Sequence, residues 1–294
     1  MKRDKGERII LFCLGWNAFL LALKGIVGIL GRSQALQADA INSAGDVLTT
    51  AIILLGVRFS QKPRDEDHHY GHGKLEALAS LAVGVIIFGG VVFLWREIVL
   101  TVVNRDFHTP SVWALIVAAV AIGIKYYMYK KTLSVGKELH SIAVIANAKD
   151  HRNDVFATSG TLAAIAFGLA GARYGIGIFN YVEPVAAGIM SIFIIKTALE
   201  IVTDAVKMLM DAAPDKEKVR EIEDSIRQCD GVEHVNWIRC RQIGRGYLVD
   251  MAVEVDGELT VTEGHAIADR IKHCIHDAVP EVLDVLVHIN PHSS

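Results

Sequence analysis

Residues Ala35–Thr50 read ALQADAINSAGDVLTT. The surrounding sequence is as apolar as a membrane span, yet this stretch carries Asp39, Asn42 and Asp46. The three are spaced three and four apart, so on a helix of 3.6 residues per turn they share one face. A carboxylate at membrane depth costs about 3 kcal/mol on insertion scales, so such a face must meet protein, water or a cation. Ile145–Gly160, IANAKDHRNDVFATSG, repeats the arrangement with Asn147, Asp150 and Asp154 on one face. Two such helices meeting face to face place Asn42, Asp46, Asp150 and Asp154 in a four-oxygen cage. The competing reading puts these acids near helix ends or in pairs with Lys149 and Arg152. Asp39, one turn before Asn42, reads as an entrance residue or a solvated one.

Composition supports a membrane setting. The chain has 294 residues, 52% of them hydrophobic, and a mean hydropathy of +0.35. That is more apolar than a soluble domain of this size. The apolar runs lie before about residue 210 and thin out afterwards, so residues 1–210 read as a membrane domain and 211–294 as a soluble one. Six segments are long and apolar enough to span a bilayer: Ile9–Leu30, Ala35–Phe59, Leu75–Val99, Val112–Tyr129, Ile142–Ala170 and Ile176–Val202. Lysine and arginine set the orientation. Lys2, Arg3, Lys5 and Arg8 precede the first span. Arg58, Lys62, Arg64 and Lys74 follow the second, and Lys125, Lys130, Lys131 and Lys137 are assigned to the loop after the fourth. The alternate loops hold little beyond Arg32, Arg96, Arg105 and Arg173. Positive charge concentrates on the cytoplasmic side, so both termini are expected there. The basic N-terminus reads as a cytoplasmic flank and not as a cleaved signal peptide.

The C-terminal part changes period. DKEKVREIEDSIRQC puts Val219, Ile222 and Ile226 on one helical face, and VEHVNWIRCRQI and GYLVDMAVEV read as strands. A second helix carries Ile267, Ile271 and Ile275 inward, and VLDVLVHIN is a third strand. The fold class is thus an all-α six-helix transmembrane domain plus a small α+β domain of order αββαβ, ferredoxin-like in its layering. The net charge of −3 gives no reason to expect a nucleic-acid partner. Cys13, Cys229, Cys240 and Cys274 have no paired spacing, which points away from a disulfide framework and toward a reducing compartment.

The cage is hard in character, an amide oxygen with three carboxylates. Zinc prefers some nitrogen or sulfur, whereas Mn²⁺ accepts carboxylate and carbonyl oxygen. Clustered carboxylates repel one another, so an empty site takes up protons, and metal and protons then compete for the same oxygens.

These motifs carry a resemblance. ALQADAINSAGDVL, then SQKPRDEDHHYGHGKLE, IANAKDHRNDVFATSG, LMDAAPD and the αββαβ tail, in that order, resemble the cation diffusion facilitators over nearly the whole chain. The resemblance implies a homodimer in a lipid membrane, alternating access, export of a divalent cation against protons, and no separate cofactor. It also implies a metallochaperone-like cytoplasmic domain that regulates and dimerises, and a multi-pass place in a bacterial inner or cell membrane. The family's transport site falls on Asn42, Asp46, Asp150 and Asp154. Zinc members have His where this chain has Asp150, so the set is similar to the manganese subgroup, and iron-handling magnetosome members are similar too. Zinc, or a broad zinc, cobalt, iron and cadmium range, is the alternative substrate class. Asp65, His68 and His72 match a second metal site of some zinc members, or form a solvated loop. Lys74 and Asp211 match a pair that ties the family's dimer near the membrane surface. Of the family's cytoplasmic zinc ligands His265 and His288 match, while Asn236, Ala252 and Asn290 depart. His265, Asp269, His273 and His276 form the wet face of a helix, or else His265, with His288 and His292, makes a weak regulatory site. A membrane metal hydrolase would need nitrogen ligands and a general base (HExxH, for instance), and no such motif occurs, so the chain is not expected to be an enzyme. A non-transporting partner or scaffold is the remaining reading.

Overall fold

A computed structural model describes residues 2–59, 65–139, 141–227, 229–244 and 246–292. Lys62 and Arg64, and the side chains of Lys2, Arg3 and Arg58, all used above for orientation, lie outside the described residues. Six long helices come first: α1 (Lys2–Leu30), α2 (Gln34–Phe59), α3 (Lys74–Asn104), α4 (Val112–Leu139), α5 (Ile142–Tyr174) and α6 (Val182–Leu209). Then follow α7 (Lys216–Arg227), β1 (His234–Ile243), β2 (Gly246–Asp256), α8 (Val261–Ala278) and β3 (Val282–His292). The chain divides into two compact units, one of Met1–Leu54 with Ser80–Val202, the other of Leu55–Ala79 with Thr203–Ser294.

The first unit is a helix bundle. Even the shortest of the six, at 26 residues, is about 39 Å long, against a hydrocarbon core of about 30 Å. Among the described residues five of the six helices are also apolar enough to cross a membrane. The described part of α2 is more polar, because it carries the Asp39–Asp46 face. Large apolar side chains such as Ile26, Ile86, Phe93, Trp113 and Phe193 point outward, as a lipid-facing surface requires. The interior uses small residues instead: Ala35, Ala114, Ala118 and Ala164 pack with Leu36, Val117 and Ile165 between α2, α4 and α5. Gly136 lets α4 approach α5, since a Cβ there would lie 2.9 Å from the Ile145 side chain and 3.0 Å from its backbone nitrogen. At the start of α5 the Ser141 hydroxyl accepts from the Val144 N–H, and at its end Gly175 turns left-handed at φ 69°.

Several helices run beyond the spans read from the sequence: α3 reaches Asn104, α5 Tyr174 and α6 Leu209. The fourth helix does not end at Tyr129 but continues to Leu139, so Lys125 belongs to the helix and not to a loop. The sixth span begins about where expected, over Gly177–Leu209, but its first turn, Gly177–Tyr181, is 3₁₀, and α6 starts at Val182.

In the second unit the strands are ordered β1-β2-β3, with β1 antiparallel and β3 parallel to β2. The parallel pair needs a crossover, and α8 is that crossover. Met251 in the middle of β2 sits opposite Ile238 of β1 and Val287 of β3. Val249, Met251 and Val253 alternate along β2 onto one face, where Ile222 and Ile226 of α7 and Ile267, Ile271 and Ile275 of α8 cover them. Helix α8 starts with a capping box, Thr260 and Glu263 each accepting the other's backbone N–H. One contact lies outside the sequence reading, although the cysteines are free as expected. Cys229 and Cys274, free thiols 45 residues apart, are brought to an Sγ···Sγ distance of 2.6 Å at the packed ends of α7 and α8. Their pairing is spatial, and sequence spacing does not report it.

Candidate functional site

The polar face of α2 meets α5, and a third helix adds a residue the cage reading lacks. Asn42 Nδ2 donates to Asp154 Oδ1 at 3.5 Å. Lys125 of α4 reaches between the helices, its Nζ 2.6 Å from Asp154 Oδ2 and 3.1 Å from Asp46 Oδ2. Lys125 is fully buried. Two of the four expected ligands, Asp46 and Asp154, thus meet one ammonium, and a third, Asn42, bonds to Asp154. Asp150 lies one turn before Asp154 on α5, is exposed, and makes no hydrogen bond or ion pair among the described residues. His151, the next residue, is buried with its Nδ1 3.9 Å from Asp154 Oδ2, and neither ring nitrogen has a hydrogen-bond partner among the described residues. The proposed alternative partners, Lys149 and Arg152, do not contact these carboxylates in any described ion pair.

Asp39 is not solvated. It is buried, and Lys24 of α1 lies 2.8 Å from its Oδ2. Thr158 Oγ1 of α5 donates to both Asp39 oxygens, at 3.3 and 3.1 Å. Lys24 donates in turn to Ser43 Oγ at 3.3 Å and Thr158 Oγ1 at 3.4 Å. The membrane unit therefore holds two buried lysines against two acidic faces. Both had a signal in the sequence, a single base inside an apolar run: LALKGIVG for Lys24 and AIGIKYYM for Lys125. Such a base has to find an acid.

A second cluster lies in the other unit. One ligand atom from each of Asp65, His68 and His72 falls within 4.8 Å of the others. His68 Nδ1 is 3.1 Å from Asp65 Oδ1, and His72 Nε2 is 3.4 Å from Asp65 Oδ2. The turn that gathers them is closed by the Gly71 N–H donating to His68 O at 2.9 Å, with Gly71 at φ 82°. In the same unit Lys74 Nζ pairs with Asp211 Oδ1 at 3.0 Å.

The C-terminal histidines are looser. His265 and His288 both line a cavity of about 400 Å³ beside Gly264 and Ile289. His265 Nε2 is 3.6 Å from Asp269 Oδ2, a partner on its own helix. His292 Nδ1 lies 2.7 Å from Glu254 Oε2, Asn236 Nδ2 donates to Glu254 Oε1 at 2.5 Å, and Asn290 Nδ2 donates to Asn236 Oδ1 at 3.2 Å. The bonds from His292 and Asn236 hold the Glu254 carboxyl below the usual carboxylate range. These side chains satisfy one another across the sheet.

Comparison with known proteins follows the same two parts. Residues 10–210 match the cation efflux transmembrane domain, and residues 214–292 match the cytoplasmic domain of cation efflux proteins. The chain is similar to the manganese efflux system protein MneP of Bacillus subtilis (strain 168), 33% identical over 286 residues, 97% of this chain and 96% of the relative. It is 31% identical to the magnetosome protein MamB of Magnetospira sp. (strain QH-2) over 281 residues, 94% of each chain. It is also 31% identical to the manganese efflux system protein MneS of B. subtilis over 271 residues, 91% of this chain and 90% of the relative. Membrane helices and C-terminal sheet are thus matched in order and almost end to end: this multi-pass membrane protein belongs to the cation efflux family of transporters, the cation diffusion facilitators.

Proposed function

We propose that the chain exports a divalent cation, Mn²⁺ foremost, from the cytoplasm in exchange for protons. Asn42, Asp46, Asp150 and Asp154 are the ligands, within a membrane domain of residues 1–210. The observation that carries this reading is the convergence of Asn42 and Asp46 on α2 with Asp154 on α5 inside a bundle of membrane-length helices. Oxygen donors suit Mn²⁺, and the two manganese efflux relatives support the same ion. The cation arriving between α2 and α5 meets two carboxylates and an amide, and Asp150 on the exposed flank of α5 completes the set. Protons are the natural counter-substrate, because carboxylates that give up a metal in a low-dielectric interior need another cation.

Residues 211–294 act as a cytoplasmic regulatory and dimerisation domain in a homodimer. Asp65, His68 and His72 form a second divalent site, and His265 and His288 at most a weak one, because the neighbouring Asn236 and His292 are engaged with Glu254 and Asn290 with Asn236. One observation favours a second reading, transport of Zn²⁺ or Fe²⁺. The buried, unpartnered ring nitrogens of His151 lie beside Asp154, and imidazole suits those ions.

The test is flux through the purified protein in sealed vesicles with Mn²⁺, Fe²⁺, Zn²⁺ and Co²⁺ in parallel, with internal pH followed by a dye. Mn²⁺ flux with opposite proton movement is the expected result. Faster Zn²⁺ or Fe²⁺ flux selects the second reading, and no flux of any ion leaves a scaffold.

A further inference from the structure

We propose that Lys125 is the counter-cation of the unloaded transport site, a tethered ammonium that holds Asp46 and Asp154 together until a divalent cation displaces it. This rests on the reading of Asn42, Asp46 and Asp154 as metal ligands.

Lys125 comes from α4, a helix that supplies no ligand, and its side chain is entirely buried. Its Nζ contacts one carboxylate from α2 and one from α5, at 3.1 and 2.6 Å. The charged and titratable groups facing this point are Asp46 from α2 and Asp154 with His151 from α5; Asn42 reaches it through Asp154. The ammonium therefore sits where two membrane helices present opposed negative charge. A divalent ion draws carboxylate oxygens to about 2.1 Å. It draws on the same two carboxylates that Lys125 now bridges, and it repels the ammonium, so lysine and metal compete for one place.

The second buried lysine shows what a permanent pair looks like here. Lys24 faces Asp39, and the hydroxyls of Ser43 and Thr158 close the cluster, with none of the proposed ligands in it. Lys125 has only the two ligand carboxylates as described partners. Lysine also suits an exchangeable role. It is a point charge on a flexible four-carbon stem, whereas the forked guanidinium of arginine would clamp both carboxylates. The functional consequence has two opposing parts. The ammonium lowers metal affinity, since it must be displaced, and it helps the metal leave, since it returns to the carboxylates as the cation departs.

That opposition is what the experiment reads. Full-length protein in detergent is titrated with Mn²⁺, with free Mn²⁺ followed by electron paramagnetic resonance, and the same preparations are assayed for maximal Mn²⁺ flux in vesicles. Lys125→Met keeps the stem and removes the charge. It is expected to lower the Mn²⁺ Kd about tenfold and to lower maximal flux about tenfold. A lysine needed only for structure would weaken both binding and flux. Mn²⁺ binding that is unchanged or weaker in Lys125→Met, while Asp154→Ala abolishes binding, overturns the proposal. Asp154→Ala that binds Mn²⁺ like wild type overturns the underlying site assignment instead. Should Lys125→Met fail to fold, Lys125→Arg decides: a clamping guanidinium raises the Mn²⁺ Kd several-fold in a normally folded protein, and an unchanged Kd overturns the proposal.

Discussion

A carboxylate inside a membrane bundle must find a cation, and this chain meets that demand in two ways. Asp39 has a fixed partner, Lys24, enclosed by hydroxyls. Asp46 and Asp154 share Lys125 and are left with oxygens that another cation can claim. On the proposed site, removing either of the latter takes a charged ligand from a small set. Asp46→Ala and Asp154→Ala are expected to lower Mn²⁺ flux about 100-fold or more, since even outer-shell changes at metal sites cost 10–100-fold. Vesicle flux at equal amounts of inserted protein measures this. Selectivity belongs to the same scale. Asp150→His replaces a hard oxygen with imidazole nitrogen on the exposed side of α5, where a larger ring has room. The ratio of Zn²⁺ to Mn²⁺ flux should rise about tenfold, equivalent to ~1.4 kcal/mol. An unchanged ratio with measurable transport would remove Asp150 from the metal's contacts. The acids were legible from spacing alone, because three- and four-residue steps imply one helical face. Their basic partners stood out only as lone lysines, and which acids they meet was not legible. Lys125 sits so near the end of an apolar run that it counts as loop charge until α4 is seen to continue to Leu139, and Lys24 is separated from Asp39 by a hairpin that no periodicity reports.

The elements of the C-terminal unit were legible almost residue by residue, because a small sheet under two amphipathic helices must alternate and must repeat every third or fourth residue. The Ile222/Ile226 and Ile267/Ile271/Ile275 stripes both land on the β2 core. The Cys229–Cys274 contact escaped because it depends on how α7 and α8 end against each other. Burial, and then the neighbouring Cys274 thiol, push the Cys229 thiol up to about 12, which disfavours its thiolate at neutral pH. With diamide as oxidant, mass spectrometry after alkylation should show both thiols lost together to one disulfide, and Cys229→Ser should leave Cys274 alkylatable. Independent loss of the two thiols would contradict the contact. The start of α8 offers a stability test. Thr260→Ala removes a helix cap and is expected to cost about 1 kcal/mol in this unit's unfolding. The Thr260 hydroxyl and backbone bonds hold Glu263 below its ordinary range, as His292 and Asn236 do for Glu254. Carboxylates depressed in the folded state add stability that is present above their unfolded values and is lost as pH falls through their folded values. Thermal unfolding followed from pH 7 downward should therefore show a decline below the usual carboxylate range, about pH 4, and Glu254→Gln should make that decline shallower.

For the whole molecule the decisive quantity is the side of the membrane on which each loop lies. Six long helices form an even number, so the segments before α1 and after α6 share a side if all six cross. The charge argument for that side does not depend on Lys125. Lys130, Lys131 and Lys137 remain exposed on the last turns of α4, and Lys5 and Arg8 are exposed at the start of α1. Arg32, Arg105 and Arg173 alone mark the alternate connections. Positive-inside bias then places Glu217, early in α7, in the cytoplasm and Asp106, between α3 and α4, outside. Both positions are exposed, so each takes a cysteine without disturbing a core. In a background where Cys13, Cys229, Cys240 and Cys274 are serine, a membrane-impermeant maleimide should label Asp106→Cys on intact cells. Glu217→Cys should be labelled only after the cells are opened. Labelling of both from outside would mean that one of the helices does not cross, and α2 would be the first suspect, because it carries the polar face. Labelling of Glu217→Cys alone would mean that the chain is inserted the other way round, and export of the cation would become import.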